Sequence, residues 1–287
     1  MTEQTIAFIG AGAIGLPMAS RASAAGDVTV FDNSVERREL ASQRALRTAS
    51  SISDLADADT FLVMVATAGQ AEAVLIGEGG LYSVAKPGAT IVLLSTLGPE
   101  AVVRLSRMRP DNGPELLDAP VTGGIPGAEA GRLTIFAAGN SALIDRVRTV
   151  LQSMGSVVVA GENPGDGQAF KMVNQLLATS QLVVAAEALA FAGKLGLDQK
   201  HVLDAVQQGA GSSWMLSNYG PRMLRNEVED IAARTDIFLK DADLVALTAG
   251  QVNFDSQFIQ ATQTVLRRAV SAGLSAEDAS RVIEVCQ

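Results

Sequence analysis

Gly10-Ala11-Gly12-Ala13-Ile14-Gly15 places glycines at the spacing G-x-G-x-x-G, and an acid, Asp32, follows about 20 residues later. An apolar run at 5–9 precedes the glycines and a helical pattern at 14–25 follows, so the loop opens on a helix N-terminus with free N–H groups. Such a loop suits a pyrophosphate, and the residues from Gly10 to Gly15 are read as the phosphate-binding turn of a dinucleotide site. Asp32 closes the next apolar run. Its carboxylate can accept hydrogen bonds from ribose hydroxyls and would repel a 2′-phosphate. NAD is therefore expected over NADP, with Asn33 beside Asp32; Arg37 and Arg38 are the residues that could reach a phosphate instead.

The single histidine, His201, and the single cysteine, Cys286, remove other chemistries. Neither a His-rich metal site nor a structural zinc site can be built, and no disulfide can form within the chain. His201 falls in a surface-type helical pattern at 197–208. A net charge of −9 argues against nucleic acid and against an anionic membrane surface. No signal-peptide pattern opens the chain, so a cytoplasmic protein is expected.

The elements that must position these residues follow from hydropathy. Apolar runs at 5–9, 28–31, 60–66, 90–94 and 115–117 alternate with helical stretches at 14–25, 35–43 and 100–108, and with one that runs through 74. Gly26 reads as the C-cap of the first helix. Buried strands alternating with helices predict βαβ units on a parallel sheet, extended by runs at 133–138 and 157–160. The turn-rich segment 161–167 ends this pattern. Residues 168–194 then read as one apolar helix of about 40 Å, long enough to join two domains. Ser180, Gln181 and Glu187 interrupt it, so it reads as a buried helix and not as a membrane span. Further helices are expected at 199–208, 236–248, 258–272 and 276–285. The chain of 287 residues, 48% of them hydrophobic, thus reads as α/β: a Rossmann-type doubly wound parallel sheet at 1–162, then an all-α domain at 163–287. The apolar helical half suggests a homodimer or homotetramer.

More segments carry a family resemblance. Asp118-Ala119-Pro120-Val121-Thr122-Gly123-Gly124 resembles the D-A-P-V-S-G-G motif of the β-hydroxyacid dehydrogenases, the 3-hydroxyisobutyrate dehydrogenase-like family. Residues 165–175, Gly165 to Gln175, resemble their G-x-G-x-x-x-K-x-x-N-N motif; Ser95-Thr96 and Lys240-Asp241 match their S-T and K-D. Within the family, Gly211-Ser212-Ser213-Trp214-Met215, residues 235–241 and Gln175 are similar to the L-threonate dehydrogenase branch. Thr122 departs from the commoner Ser, Gln175 from Asn, and Ala242 from Leu.

The resemblance implies oxidation of a hydroxyl by a nicotinamide cofactor, with a base to take the hydroxyl proton. His201 is poorly placed for that, and Lys171 is assigned as general acid/base. Burial in an apolar helix and the helix N-terminus both predict a lysine that gives up its proton readily. Asn174, one turn on, shares its face. Thr122, Gly123 and Gly124, with Lys171, Asn174 and Gln175, are expected to hold a small carboxylate-bearing hydroxyacid. The family implies that Val65, Ala66, Thr67, Thr96 and Lys240 border the cofactor. Asp241 would orient Lys240 or cap locally, and Trp214 would shield the site or sit in a core. L-threonate or a similar sugar acid is the expected substrate. The alternatives are 3-hydroxyisobutyrate dehydrogenase, tartronate-semialdehyde reductase and, in another class, a non-catalytic dinucleotide-sensing protein.

Overall fold

The computed structural model describes residues 4–286, except 226, 227 and 229. It divides into two compact units, Met1–Lys171 and Met172–Gln287. The first holds a nine-stranded sheet in the order β3-β2-β1-β4-β5-β6-β8-β7, with β9 paired to β8. Its elements are β1 (Thr5–Ile9), α1 (Gly15–Ala22), β2 (Asp27–Phe31), α2 (Val35–Gln43), β3 (Arg47–Thr48), β4 (Thr60–Val63), α3 (Ala68–Ile76), α4 (Leu81–Val84), β5 (Thr90–Leu93) and α5 (Pro99–Arg107). They continue with β6 (Glu115–Asp118), β7 (Val121–Thr122), α6 (Gly124–Ala130), β8 (Leu133–Ala138), α7 (Ser141–Met154) and β9 (Gly155–Gly161).

The apolar runs become strands because both faces of the sheet are covered. Every residue of β4 and β5 is buried. Phe8, Leu62 and Val92 pack on one side with α1 and α7, and Phe61, Ile91 and Leu93 on the other with α3 and α5. The strands from β3 to β6 run parallel. The expected extension of the sheet is present, but β8 runs antiparallel to β6. The reason lies in the connection. A parallel return needs a crossover of a dozen or more residues, and between β7 and β8 the chain has only the short α6, closed by a left-handed Gly131. The longer α7 then brings β9 back parallel to β8. The first helix is shorter than its pattern suggested: it ends at Ala22 with Ser23 as C-cap. Gly26 is not its cap but lies against Gln4, whose carbonyl oxygen would stand 2.3 Å from an added Cβ.

The long helix α8 (Asp166–Lys194) starts in the first unit and continues through the second. By length and composition it is long and apolar enough to cross a membrane; 44% of its most apolar window is buried within the protein. The second unit adds α9 (Gln199–Val206), α10 (Trp214–Met223), α11 (Thr235–Gln251) and α12 (Gln257–Ala269). Leu182, Ala186 and Leu189 of α8 form its core with Leu216, Phe238 and Leu266. The pattern at 258–272 splits: after α12 the chain widens into a π-helical turn with Gly273 at φ 90°. The pattern at 276–285 resolves as a 3-10 helix, Ala279–Val285, capped by Asp278. That buried carboxylate also receives Arg222 and the Ala232 N–H, at 3.0 and 2.8 Å, and so ties α10 to the segment before α11.

Candidate active site

The first glycine loop is built as its spacing demands. Gly10 has φ +99°, and an added Cβ would stand 2.1 Å from the Met64 carbonyl oxygen, so no larger residue fits. Gly12, by contrast, faces open space, with nothing within 4 Å of where a Cβ would be. No side chain caps α1, so its first turn presents backbone donors unclaimed by a capping group. Asp32 is fixed at the end of β2: Oδ2 accepts the Ala11 N–H at 2.7 Å and Oδ1 the Ser34 N–H at 2.9 Å. Arg38 donates to the Asp32 carbonyl oxygen at 2.5 Å, while Asn33 is exposed beside it. Asp32 thus does local work that its spacing alone did not show: it ties the glycine loop to the next strand.

Beyond β4, Val65 donates its N–H to Ser95 Oγ at 2.8 Å, which joins the loop 65–67 to the Ser95-Thr96 turn after β5. Thr67 and Gln70 form a reciprocal cap at the start of α3. Ala66 and Thr67 are exposed, and Val65 and Thr96 half-buried.

A second G-x-G opens α8, and its end is closed. The buried Asp118, last residue of β6, accepts through Oδ2 the N–H groups of Gly165 at 3.1 Å and Gln168 at 3.0 Å. Gly167 permits this approach: a Cβ there would stand 2.5 Å from the Phe136 carbonyl oxygen and 3.0 Å from Asp118 Oδ2. Burial pushes the Asp118 carboxyl up to about 6, against the opposing pull of the Gln168 side chain and the backbone donors. Lys171, one turn further along α8, is 4% exposed. Asp118 and Gln168 were not singled out from sequence. The signal lay inside the two family motifs, where Asp118 precedes the expected substrate residues and Gln168 stands one turn before the lysine.

Thr122 ends β7, opposite Thr134 of β8. Gly123 and Gly124 follow at φ 131° and 64° and turn the chain into α6. All three are half-buried.

In the second unit, α8 and α11 share a polar network. Asn174 Nδ2 donates to Gln175 Oε1 at 2.7 Å, and Gln175 Nε2 donates in turn to Asp241 Oδ2. Asp241 Oδ1 pairs with the Lys240 ammonium at 2.9 Å. Gln175 and Asp241 are buried, and their hydrogen bond satisfies Gln175 Nε2 and Asp241 Oδ2, while among the described residues Asp241 Oδ1 has only the Lys240 ion pair and no hydrogen bond. Asn174, Gln175 and Lys240 are thereby brought together, and Asp241 is the link. The reach of Gln, one methylene longer than the family's Asn, serves this contact.

His201 is exposed on α9, as its pattern indicated. Trp214 is no core residue: it is 58% exposed at the start of α10, with its ring 6.5 Å from that of Tyr219.

Residues 5–161 match the family described as the NAD-binding domain of 6-phosphogluconate dehydrogenase, and residues 165–286 the family described as NAD-binding of NADP-dependent 3-hydroxyisobutyrate dehydrogenase. The chain belongs to the 3-hydroxyisobutyrate dehydrogenase-like family. Members are NAD(P)-dependent dehydrogenases acting on the hydroxyl of hydroxyacids. This dehydrogenase is 32% identical to L-threonate dehydrogenase of Haemophilus influenzae, over 98% of this chain and 94% of that one. It is 29% identical to 2-hydroxy-3-oxopropionate reductase of Escherichia coli K12, over 98% and 97%. The crystal structure of 3-hydroxyisobutyrate dehydrogenase from Salmonella typhimurium superposes with a TM-score of 0.89 at 28% identity, covering 99% of this chain and 100% of that one.

The residues present fit a dinucleotide. The open space at Gly12 and the uncapped start of α1 provide a cradle and backbone donors, and the Asp32 carboxylate, bonded to that loop through the Ala11 N–H, provides an acceptor beside them.

Proposed function

We propose that this dehydrogenase oxidises a hydroxyl of a small hydroxyacid with NAD, best suited to L-threonate or a similar sugar acid, and that Lys171 is the acid/base. The observation that carries the reading is a lysine almost without solvent access, one turn into a helix whose N-terminus is itself anchored. Burial and the helix N-terminus both work against positive charge there, which supports the acid/base role. A neutral Lys171 takes the hydroxyl proton in oxidation and returns it in reduction.

Bound NAD supplies the hydride acceptor. The Gly10–Gly15 turn holds its pyrophosphate and Asp32 its ribose, where a 2′-phosphate would meet negative charge. On the family motifs, Val65, Ala66, Thr67, Thr96 and Lys240 are assigned to the cofactor. Thr122, Gly123, Gly124, Asn174 and Gln175 are assigned to the substrate. The L-threonate dehydrogenase relative and the Gln175 contact to Asp241 support the sugar-acid assignment.

Val173, Leu177, Val184 and Phe191 recur along α8 at helical spacing and are more than half exposed, which supports a homodimer or homotetramer.

An NAD-reduction assay with L-threonate, related sugar acids, 3-hydroxyisobutyrate and glycerate tests the reading. The highest kcat/KM is expected with a sugar acid and NAD. Preference for glycerate favours the tartronate-semialdehyde reductase reading. NAD binding with no turnover on any hydroxyacid refutes catalysis.

A further inference from the structure

Gln168 has no accessible surface, and its side-chain amide spends every donor and acceptor it has. Nε2 donates to the Ser95 carbonyl oxygen at 3.1 Å and to Asp118 Oδ1 at 2.8 Å. Oε1 accepts the N–H groups of Leu97 at 2.9 Å and Gly98 at 3.0 Å. Ser95 is also the residue whose hydroxyl receives Val65. One chain of hydrogen bonds therefore runs from the loop after β4, through the turn after β5, into Gln168, and on to Asp118 and the first turn of α8. Lys171 follows Gln168 by one turn on the same helix face.

Only an amide satisfies these four partners. A carboxylate cannot donate to Ser95 and would oppose Asp118. An ammonium cannot accept from Leu97 and Gly98. A hydrocarbon would leave several buried polar groups unpaired, each at a cost of about 1–3 kcal/mol.

We propose that Gln168, oriented by Asp118, is a positioning residue for catalysis: it locks the first turn of α8 to the strand-end turns assigned to the cofactor and so sets where the Lys171 amine stands. The inference rests on the reading of Lys171 as acid/base. A helix turn released from this lock moves Lys171 without removing it, and displacement by about 1 Å costs roughly 100-fold in rate.

The test is a double-mutant cycle read by kcat, with NAD affinity measured by titration. Gln168→Glu sets two carboxylates against each other. Asp118→Asn faces an amide with an amide and leaves either donors or acceptors opposed. Each is expected to lower kcat by about 10–100-fold while the NAD Kd stays within about twofold. In the combined variant, the new amide at 118 donates to the new carboxylate at 168, which still accepts from Leu97 and Gly98. Only the Ser95 contact stays broken, so kcat is expected to recover about tenfold over the worse single variant. A merely structural role would weaken NAD binding together with kcat, and additive losses in kcat with no recovery would deny the Asp118–Gln168 pairing; either result overturns the proposal. So does wild-type kcat in both single variants alongside a dead Lys171→Ala. Wild-type turnover by Lys171→Ala instead overturns the reading beneath it. If Gln168→Glu yields no folded protein, Gln168→Asn, which keeps the amide one methylene short, enters the same comparison.

Discussion

This chain uses a G-x-G at a helix start twice, with opposite outcomes. At α1 the helix end is uncapped and the space beside Gly12 is empty. At α8 the end is filled by Asp118, and the space beside Gly167 is taken by the Phe136 carbonyl oxygen and that same carboxylate. Both ends carry the same partial positive charge and the same need for an acceptor. One is open, and the proposed function places the phosphates of a ligand there. The other is satisfied by the protein's own acid, so it cannot bind an anion and instead serves as a rigid mount. The lesson is that glycine spacing fixes how closely something may approach a helix end, and the neighbouring strand decides whether that something is ligand or protein.

If the closed end carries the chemistry and the open end the cofactor, they must fail differently. The largest effect is expected for Lys171→Ala: a loss of about 100- to 10,000-fold in kcat, with NAD affinity unchanged. Steady-state kinetics and an NAD titration on one preparation check it. Turnover near the wild-type rate would sink the assignment.

The two second glycines give the sharper contrast. Gly12→Ala adds a methyl where nothing lies within 4 Å. The fold is expected to keep its Tm, while NAD binding weakens by about tenfold through crowding of the pyrophosphate. Gly167→Ala drives a methyl into the Phe136 carbonyl oxygen and Asp118. It is expected to lose about 1–3 kcal/mol of stability, with Tm and kcat falling together. Equal Tm for both variants would erase the distinction between the helix ends.

Much of this was legible in the sequence, for identifiable reasons. The edges of β1, α2 and β8 coincide with their hydropathy patterns because each is bounded by glycine, proline or polar turn residues. The antiparallel β8 was not legible: a strand's direction depends on the length of its connection, and α6 within the glycine-rich 123–131 reads as loop. The Arg222–Asp278 pair and the Gln175–Asp241 contact join residues far apart in the chain, which periodicity does not report. Asp118 and Gln168 were quoted within motifs, yet their roles emerge only when β6 and α8 meet.

The closed end is also expected to respond to pH. Burial lifts the Asp118 carboxyl to about 6 from its ordinary value of 3.8. Because the folded-state value is raised, its contribution to stability is full below about 4 and is lost as pH climbs through 6. The loss amounts to about 3 kcal/mol on an order-of-magnitude scale. Activity should follow the opposite sign. Every group that meets its oxygens is a donor, so a protonated Asp118 has a proton with no acceptor, and kcat is expected to fall below pH 6. Parallel Tm and kcat profiles from pH 4 to 7 on wild type and Asp118→Asn check this. In the variant, both the relative gain in stability and the loss of kcat across that window should vanish. A stability difference independent of pH would show that Asp118 does not titrate there.

The smallest effect tests whether any other acid/base group competes with the closed end. His201 is the chain's one histidine, and it is exposed on α9, where its backbone N–H merely donates to the capping Asp198 Oδ1 at 2.6 Å. That contact uses the backbone, which His201→Asn keeps. Stability should change by less than about 0.5 kcal/mol, as at most exposed positions. The kcat profile against pH should overlay that of wild type within about twofold, because a general base contributes 100-fold or more when it is used. If one limb of the pH profile disappeared from the variant, that limb would belong to His201 and not to the Asp118–Lys171 end of α8. The division of labour between the two glycine-bounded helices would then need a third participant.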